Sequence, residues 1–128
     1  MALREKKNLI DKVADTIRKY NLIETGDNLV LGVSGGPDSI SMLDILLKIK
    51  QNKQIKFDFV VGHVNHMIRE EALQDELYVK SYCEKNKIQF YVKRIDVLKI
   101  ANTNKISTEE AGRNVRYEFF EEIQKQAN

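Results

Sequence analysis

The sequence predicts an α/β fold, a three-layer arrangement in which one parallel sheet carries helices on both faces. Three observations support that expectation. Apolar runs of strand length recur near residues 28–33, 57–64 and 88–92, and segments with helical spacing separate them. A run of serine, glycine and aspartate follows the first strand and leads into a helix. One proline and six glycines in 128 residues leave no linker, so the chain reads as one domain.

Ile10, Val13, Ala14 and Ile17 stand at i, i+3, i+4 and i+7 beside Lys12, Arg18 and Lys19, which predicts an amphipathic helix from Arg4 to Tyr20. Glu24-Thr25-Gly26-Asp27 is a turn. Asn28 to Val33 is almost continuously apolar and predicts a central strand buried on both faces. Pro37 suits a first helical position, and Ile40, Leu43 and Leu47, with Met42, Ile45, Leu46 and Ile49, extend a largely buried helix to about Lys50. Phe57, Phe59, Val60, Val61 and Val64 make the second strand, and Ala72, Val79 and Cys83 share one face of the helix after it. Ile88, Phe90 and Val92 alternate with Gln89, Tyr91 and Lys93, as in a strand exposed on one side at a sheet edge. Ser107 to Glu110 forms a capping box, Ser107 serving the helix amides and Glu110 reaching back, before a helix that buries Ala111, Val115, Phe119 and Ile123. The order α-βα-βα-β-α calls for right-handed crossovers between parallel strands.

The 21 basic and 19 acidic side chains give a net charge of +2 and are dispersed, so charge alone does not predict nucleic-acid binding. No apolar run reaches the roughly 18 residues a membrane span needs. The charged start, Arg4-Glu5-Lys6-Lys7, is unlike a secretion signal, and a cytoplasmic location is expected. Cys83 is the only cysteine, which excludes an internal disulfide or a thiol cluster and reads as a buried small apolar residue.

The chemistry concentrates at Ser34-Gly35-Gly36-Pro37-Asp38-Ser39. Polyphosphate offers only acceptor oxygens, so a binding loop needs convergent N–H donors on a backbone that can approach closely. Gly35 and Gly36 permit the approach, the helix N-terminus supplies amides and a positive dipole end, and Ser34 and Ser39 add hydroxyls. Asp38 would repel phosphate unless a cation lies between them, so it either contacts Mg²⁺ or bonds a sugar or loop amides. A chance match to the five fixed residues in a chain of this length has a probability on the order of 10⁻⁴. The run lacks the Gly-Lys-Ser/Thr ending of a Walker loop and the glycine spacing of dinucleotide folds.

Ser-Gly-Gly-x-Asp-Ser after an apolar strand is similar to the PP-loop of the N-type ATP pyrophosphatases. Three more segments resemble the N-terminal part of the tRNA(Ile)-lysidine synthases. They are the first helix running into Tyr20-Asn21-Leu22-Ile23, then His63-Val64-Asn65-His66-Met67-Ile68-Arg69, then Glu110-Ala111-Gly112-Arg113-Asn114-Val115-Arg116-Tyr117. The resemblance implies a Rossmann-like sheet and transfer of AMP from ATP, with Mg²⁺, to the wobble cytidine of an isoleucine tRNA with a CAU anticodon. Free lysine then displaces AMP to give lysidine.

By the same resemblance, Ser34 to Ser39 grip ATP, Asp38 carries the metal and catalytic role, and the backbone from His63 to Asn65 lies by the adenosine. Arg69 belongs to the pocket rim. Arg113 and Arg116 share a helix face that suits a phosphate or a lysine carboxylate, and pairing with Glu109, Glu110 or Glu118 stays open for them. His63 and His66 resemble a metal pair only weakly, and a satisfied strand histidine is the commoner case. Other AMP-transferring PP-loop enzymes, tRNA thiolases or amide synthetases, and a non-catalytic nucleotide-binding remnant are the alternatives.

The family's catalytic domain continues past this point with another strand and a motif like His-x-x-Asp-Asp-x-x-Glu-Thr, and then with tRNA-binding regions. The 128 residues are therefore expected to form the N-terminal portion of the domain, truncated after three strands. Its first strand is left bare as a possible route to homo-oligomers, and ATP binding by this portion alone is expected to be weak.

Overall fold

The computed structural model describes residues 2–67 and 71–127. Its elements are α1 (Ala2–Lys19), β1 (Asp27–Gly32), α2 (Pro37–Gln51), β2 (Phe57–Asn65), α3 (Glu71–Lys85), β3 (Phe90–Arg94), α4 (Val97–Asn104) and α5 (Thr108–Ala127). The three strands form one parallel sheet in the order β1-β2-β3. The α/β class and the alternation are as the apolar pattern predicts.

Odd-numbered residues of β2, Phe57, Phe59 and Val61, join the main core with Leu43, Leu46, Leu47 and Ile49 of α2 and Val79 and Cys83 of α3. Ile10, Ala14 and Ile17 of α1 close that core, in the phase read from their spacing. The other sheet face belongs to α5. Gly32 and Gly62 are register partners in β1 and β2, and a Cβ on either would meet the Phe120 ring, at 2.6 Å from Gly32 and 3.1 Å from Gly62. Two side-by-side glycines thus make a flat seat for one aromatic ring, and Ile123 packs beside it, 2.8 Å from a Cβ placed on Gly62.

The first strand departs from expectation in its burial. Leu29, Val30 and Leu31 are half-buried and not covered on both faces, while among the described residues β1 pairs on one side only, the bare edge expected of a sheet with three strands. Burial on both faces needs lateral neighbours as well as helices, and here the strand's outer side has none. β3 is the other edge, as its alternation predicts, but Val92 is exposed while Tyr91 and Lys93 are half-buried, the reverse of the expected phase.

α4 has no counterpart in the predicted order. Asp96 caps it by accepting from the Lys99 N–H at 3.1 Å, and Lys105 ends it in the left-handed region. Val97 and Ala101 of α4 form a small separate core with Ala111 of α5. The capping residue of α5 behaves as predicted in one half: Ser107 Oγ accepts from the Glu110 N–H at 3.0 Å, while the exposed Glu110 side chain makes no return bond among the described residues. Ala111, Val115, Phe119 and Ile123 are all buried, as predicted. Among the described residues no helix is long and apolar enough to cross a membrane.

Candidate nucleotide site

The loop lies between β1 and α2, at the C-terminal edge of the sheet where open α/β folds bind ligands. Gly36 precedes α2 with no side-chain cap, so the amides of the first turn are not consumed by a capping side chain. Gly35 holds φ +90°, and a Cβ there would stand 2.8 Å from the Asp75 Cβ of α3. The turn therefore demands glycine twice, for the backbone angle and for the closeness of α3.

The two serines first build the loop. Ser39 Oγ accepts from the Ser34 N–H at 3.0 Å, and Ser34 Oγ accepts from the Gly36 N–H at 3.3 Å. With their oxygens accepting backbone bonds, both hydroxyl protons remain to be donated outward, which suits an anion. Asp38 is exposed in the first turn of α2 and takes no side-chain partner among the described residues.

His63 fastens β2 to the root of the loop. Its ring is buried, and Nδ1 lies 2.7 Å from the Val33 carbonyl oxygen, one residue before Ser34. A carbonyl only accepts, so Nδ1 carries the proton, and in the neutral ring Nε2 is an acceptor. This is the satisfied strand histidine weighed against a metal ligand. Asn65 is also buried; its Oδ1 accepts from the Met67 N–H at 2.9 Å and its Nδ2 donates to Glu76 Oε1 at 3.1 Å.

Ser34, His63, Val64, Asn65 and His66 line one cavity of about 230 Å³, with Ala72 and Asp75 of α3 closing it. Gly35 and Pro37 border a second, more open cleft of about 530 Å³ with Ile40, Ser41, Gln74, Asp75 and Tyr78. Asp75 is the wall between the two cavities. Ser34 of the loop and the His63–His66 segment, 29 residues or more apart in sequence, thus face one space.

The third motif enters through His66. A Cβ on buried Gly112 would lie 3.1 Å from His66 Cε1 and 3.5 Å from an Arg116 guanidinium nitrogen, so the imidazole rests over the glycine beside the arginine. Partial burial holds the His66 pKa below its ordinary value, and the Arg116 and His63 charges push the same way. Arg113 points elsewhere: it reaches Glu109 at 3.7 Å across one helical turn, the surface pairing that had stayed open. Arg69 lies outside the described residues.

Sequence reasoning passed over Glu76. It shares the inner face of α3 with Val79 and Cys83, is 1% exposed, and meets Arg94 through Nε at 2.8 Å and through the terminal nitrogen at 2.5 Å. The Arg94 hydrogen bond holds the carboxyl below the usual range against the opposing effect of burial, and the Asn65 amide adds to the lowering. Its one signal was a glutamate at an apolar position of the Ala72, Val79, Cys83 stripe.

A comparison with protein families matches residues 5–128 to the PP-loop domain. The chain belongs to the PP-loop family. It is 53% identical over 116 residues to a tRNA(Ile)-lysidine synthase of Clostridium acetobutylicum, covering 90% of this chain and 25% of that protein. It is 47% identical to the Clostridioides difficile protein of the same name, with the same coverage. The PP-loop chain thus spans about a quarter of the length of these relatives. Among solved structures it is similar to an NH3-dependent NAD synthetase from Campylobacter jejuni, at a TM-score of 0.54 and 16% identity over 97% of this chain and 52% of that one. A U34-tRNA thiolase from Methanococcus maripaludis, which holds a [4Fe-4S] cluster, gives 0.56 at 20% identity over 70% of this chain and 30% of that one. Both likenesses concern the fold alone.

Proposed function

We propose that this PP-loop segment belongs to an enzyme that joins lysine to C2 of the wobble cytidine of a CAU-anticodon isoleucine tRNA, converting ATP to AMP and pyrophosphate. The observation that carries the reading is the single cavity walled by Ser34 of the loop and by His63, Asn65 and His66. It occurs in a chain whose relatives at 53% and 47% identity bear the lysidine synthase name.

In the first step the cytidine C2 oxygen bonds to the α-phosphorus and the bond to pyrophosphate breaks, the electron pair leaving with pyrophosphate. The first-turn amides of α2 and the outward protons of Ser34 and Ser39 receive that developing charge. The β2 edge from His63 to Asn65 borders the adenosine. In the second step a lysine amine bonds to C2, AMP leaves with the oxygen, and the amine releases a proton. Arg116, beside His66, supplies a cation for a phosphate or the lysine carboxylate.

Mg²⁺ suits Asp38: the carboxylate is exposed, stands at the loop and has no competing partner among the described residues. Mg²⁺ takes one or two carboxylates with phosphate oxygens and water, so a single Asp is a sufficient protein contribution. When bound it neutralises charge on the leaving pyrophosphate. Thiolation chemistry finds no support in Cys83, whose thiol is fully buried and pushed up to about 11 by that burial.

The test uses the full-length protein with ATP, Mg²⁺, radiolabelled lysine and the transcribed tRNA. Label in the tRNA with stoichiometric AMP is the expected result, and ATP turnover without label in tRNA refutes the reading. Asp38→Asn is expected to slow AMP formation about tenfold or more and to be partly restored by raised Mg²⁺.

A further inference from the structure

A glutamate buried in a helix face that otherwise packs apolar side chains demands an explanation. Replacing buried ion pairs with apolar residues is often neutral or stabilising, so stability alone does not account for Glu76. Its carboxylate reaches two elements at once: Arg94 at the end of β3 and Asn65 at the end of β2, which are register partners. An ionised carboxylate only accepts, so it turns the Asn65 NH₂ toward α3 and the Asn65 Oδ1 toward the Met67 N–H. Met67 holds φ +60°, a left-handed turn that the Asn65 side chain spans. The main chain is held on its other side as well, the Asn65 and His66 carbonyls accepting from the N–H groups of Ile95 at 3.0 Å and Val97 at 3.4 Å.

We infer that Glu76 and Arg94 are positioning residues that act through the Asn65 side chain to preform the nucleotide edge of β2. The inference rests on the reading that this edge borders the adenosine. A glutamine at position 76 presents a donor or an acceptor to Asn65, so the amide loses its single orientation and the Met67 turn its clasp.

The experiment compares Glu76→Gln, Arg94→Lys and Val79→Ala in the full-length protein. Val79→Ala empties core space on the same helix face without removing a hydrogen-bond partner of Asn65, which makes it the structural control. Two quantities are read: hydrogen exchange of the Met67 amide without nucleotide, and KM for ATP against KM for lysine. Glu76→Gln is expected to speed Met67 exchange and raise the ATP KM, each about tenfold, with kcat and lysine KM within about twofold. Arg94→Lys, which keeps the charge but not the fork, falls between, and Val79→Ala leaves both quantities within about twofold. Unchanged Met67 exchange in Glu76→Gln overturns the proposal, as does faster exchange with an unchanged ATP KM, or an equal rise in Val79→Ala. Should Glu76→Gln fail to fold, the same criteria apply to Arg94→Lys. Because exchange is read without nucleotide, failure of the clasp and failure of the ligase reading are separable.

Discussion

Three glycines that look alike in sequence separate backbone strain from steric closeness. Gly26 and Gly35 both hold φ +90°, but a Cβ on Gly26 meets nothing within 4 Å, whereas one on Gly35 lies 2.8 Å from Asp75 Cβ and 3.3 Å from Asp75 Cα. Gly36, with φ −73°, has only Ser34 Oγ near it, at 3.6 Å. Gly26→Ala therefore reports strain alone, costing about 1–2 kcal/mol. Gly35→Ala adds an overlap that no rotamer change relieves, because the obstructing atoms belong to the start of the Asp75 side chain and its backbone. Overpacking of that kind costs about 1–3 kcal/mol more. At an unfolding entropy of about 2.1 cal/mol/K per residue, a loss of about 3 kcal/mol lowers Tm by about 11 °C in a domain of this size. Gly36→Ala is expected to be neutral or to stabilise by up to about 1 kcal/mol through the unfolded chain, while weakening ATP binding where phosphate must approach the backbone. Calorimetry with parallel ATP titration reads all three variants. A Gly35→Ala protein melting within about 2 °C of wild type, or a Gly36→Ala protein losing as much as Gly35→Ala, would refute the reasoning.

Four further outcomes are expected. Gly62→Ala destabilises by about 1–3 kcal/mol in urea unfolding, and Phe120→Leu in the same chain recovers part of the loss because the ring is one of the obstructing groups; additive losses would contradict the shared seat. Glu76 has a folded-state pKa below its ordinary 4.5, so its contribution is complete above that value and disappears as pH falls through the folded value; a pH series of unfolding curves should show a shallower acid limb in Glu76→Gln. His66 should titrate by NMR below 6.5, so the fold loses stability as pH falls from 6.5 toward the folded value; Arg116→Met should raise that pKa while burial, the larger cause, keeps it under 6.5. The unpaired side of β1 should drive self-association of residues 1–128 produced alone, and sedimentation as a stable monomer would count against it.

Local pattern made much of the molecule legible. The stripe Ile10, Ala14, Ile17, the buried face of α5 and the loop all depend on side chains within a turn or two of one another, and each lies where its spacing placed it. The helix at 97–104 was readable in the same terms, through Asp96 as cap and Val97, Ile100 and Ala101 as a stripe, and was passed over. Val92 resisted the same logic because an edge strand with one neighbour exposes a side chain that alternation alone would bury.

What the sequence by itself determined is the α/β order, the parallel pairing it implies and the loop whose residue types suit phosphate. Those follow from chirality, hydrophobic period and the backbone freedom of glycine, all short-range properties. Tertiary structure alone decided that Gly32 and Gly62 stand side by side beneath Phe120 and that Gly112 lies beneath His66. It also turned Arg116 toward the site and Arg113 toward Glu109, and placed Glu76 between Asn65 and Arg94. Such meetings depend on register and packing across the sheet, where residues distant in the chain come within a few ångströms.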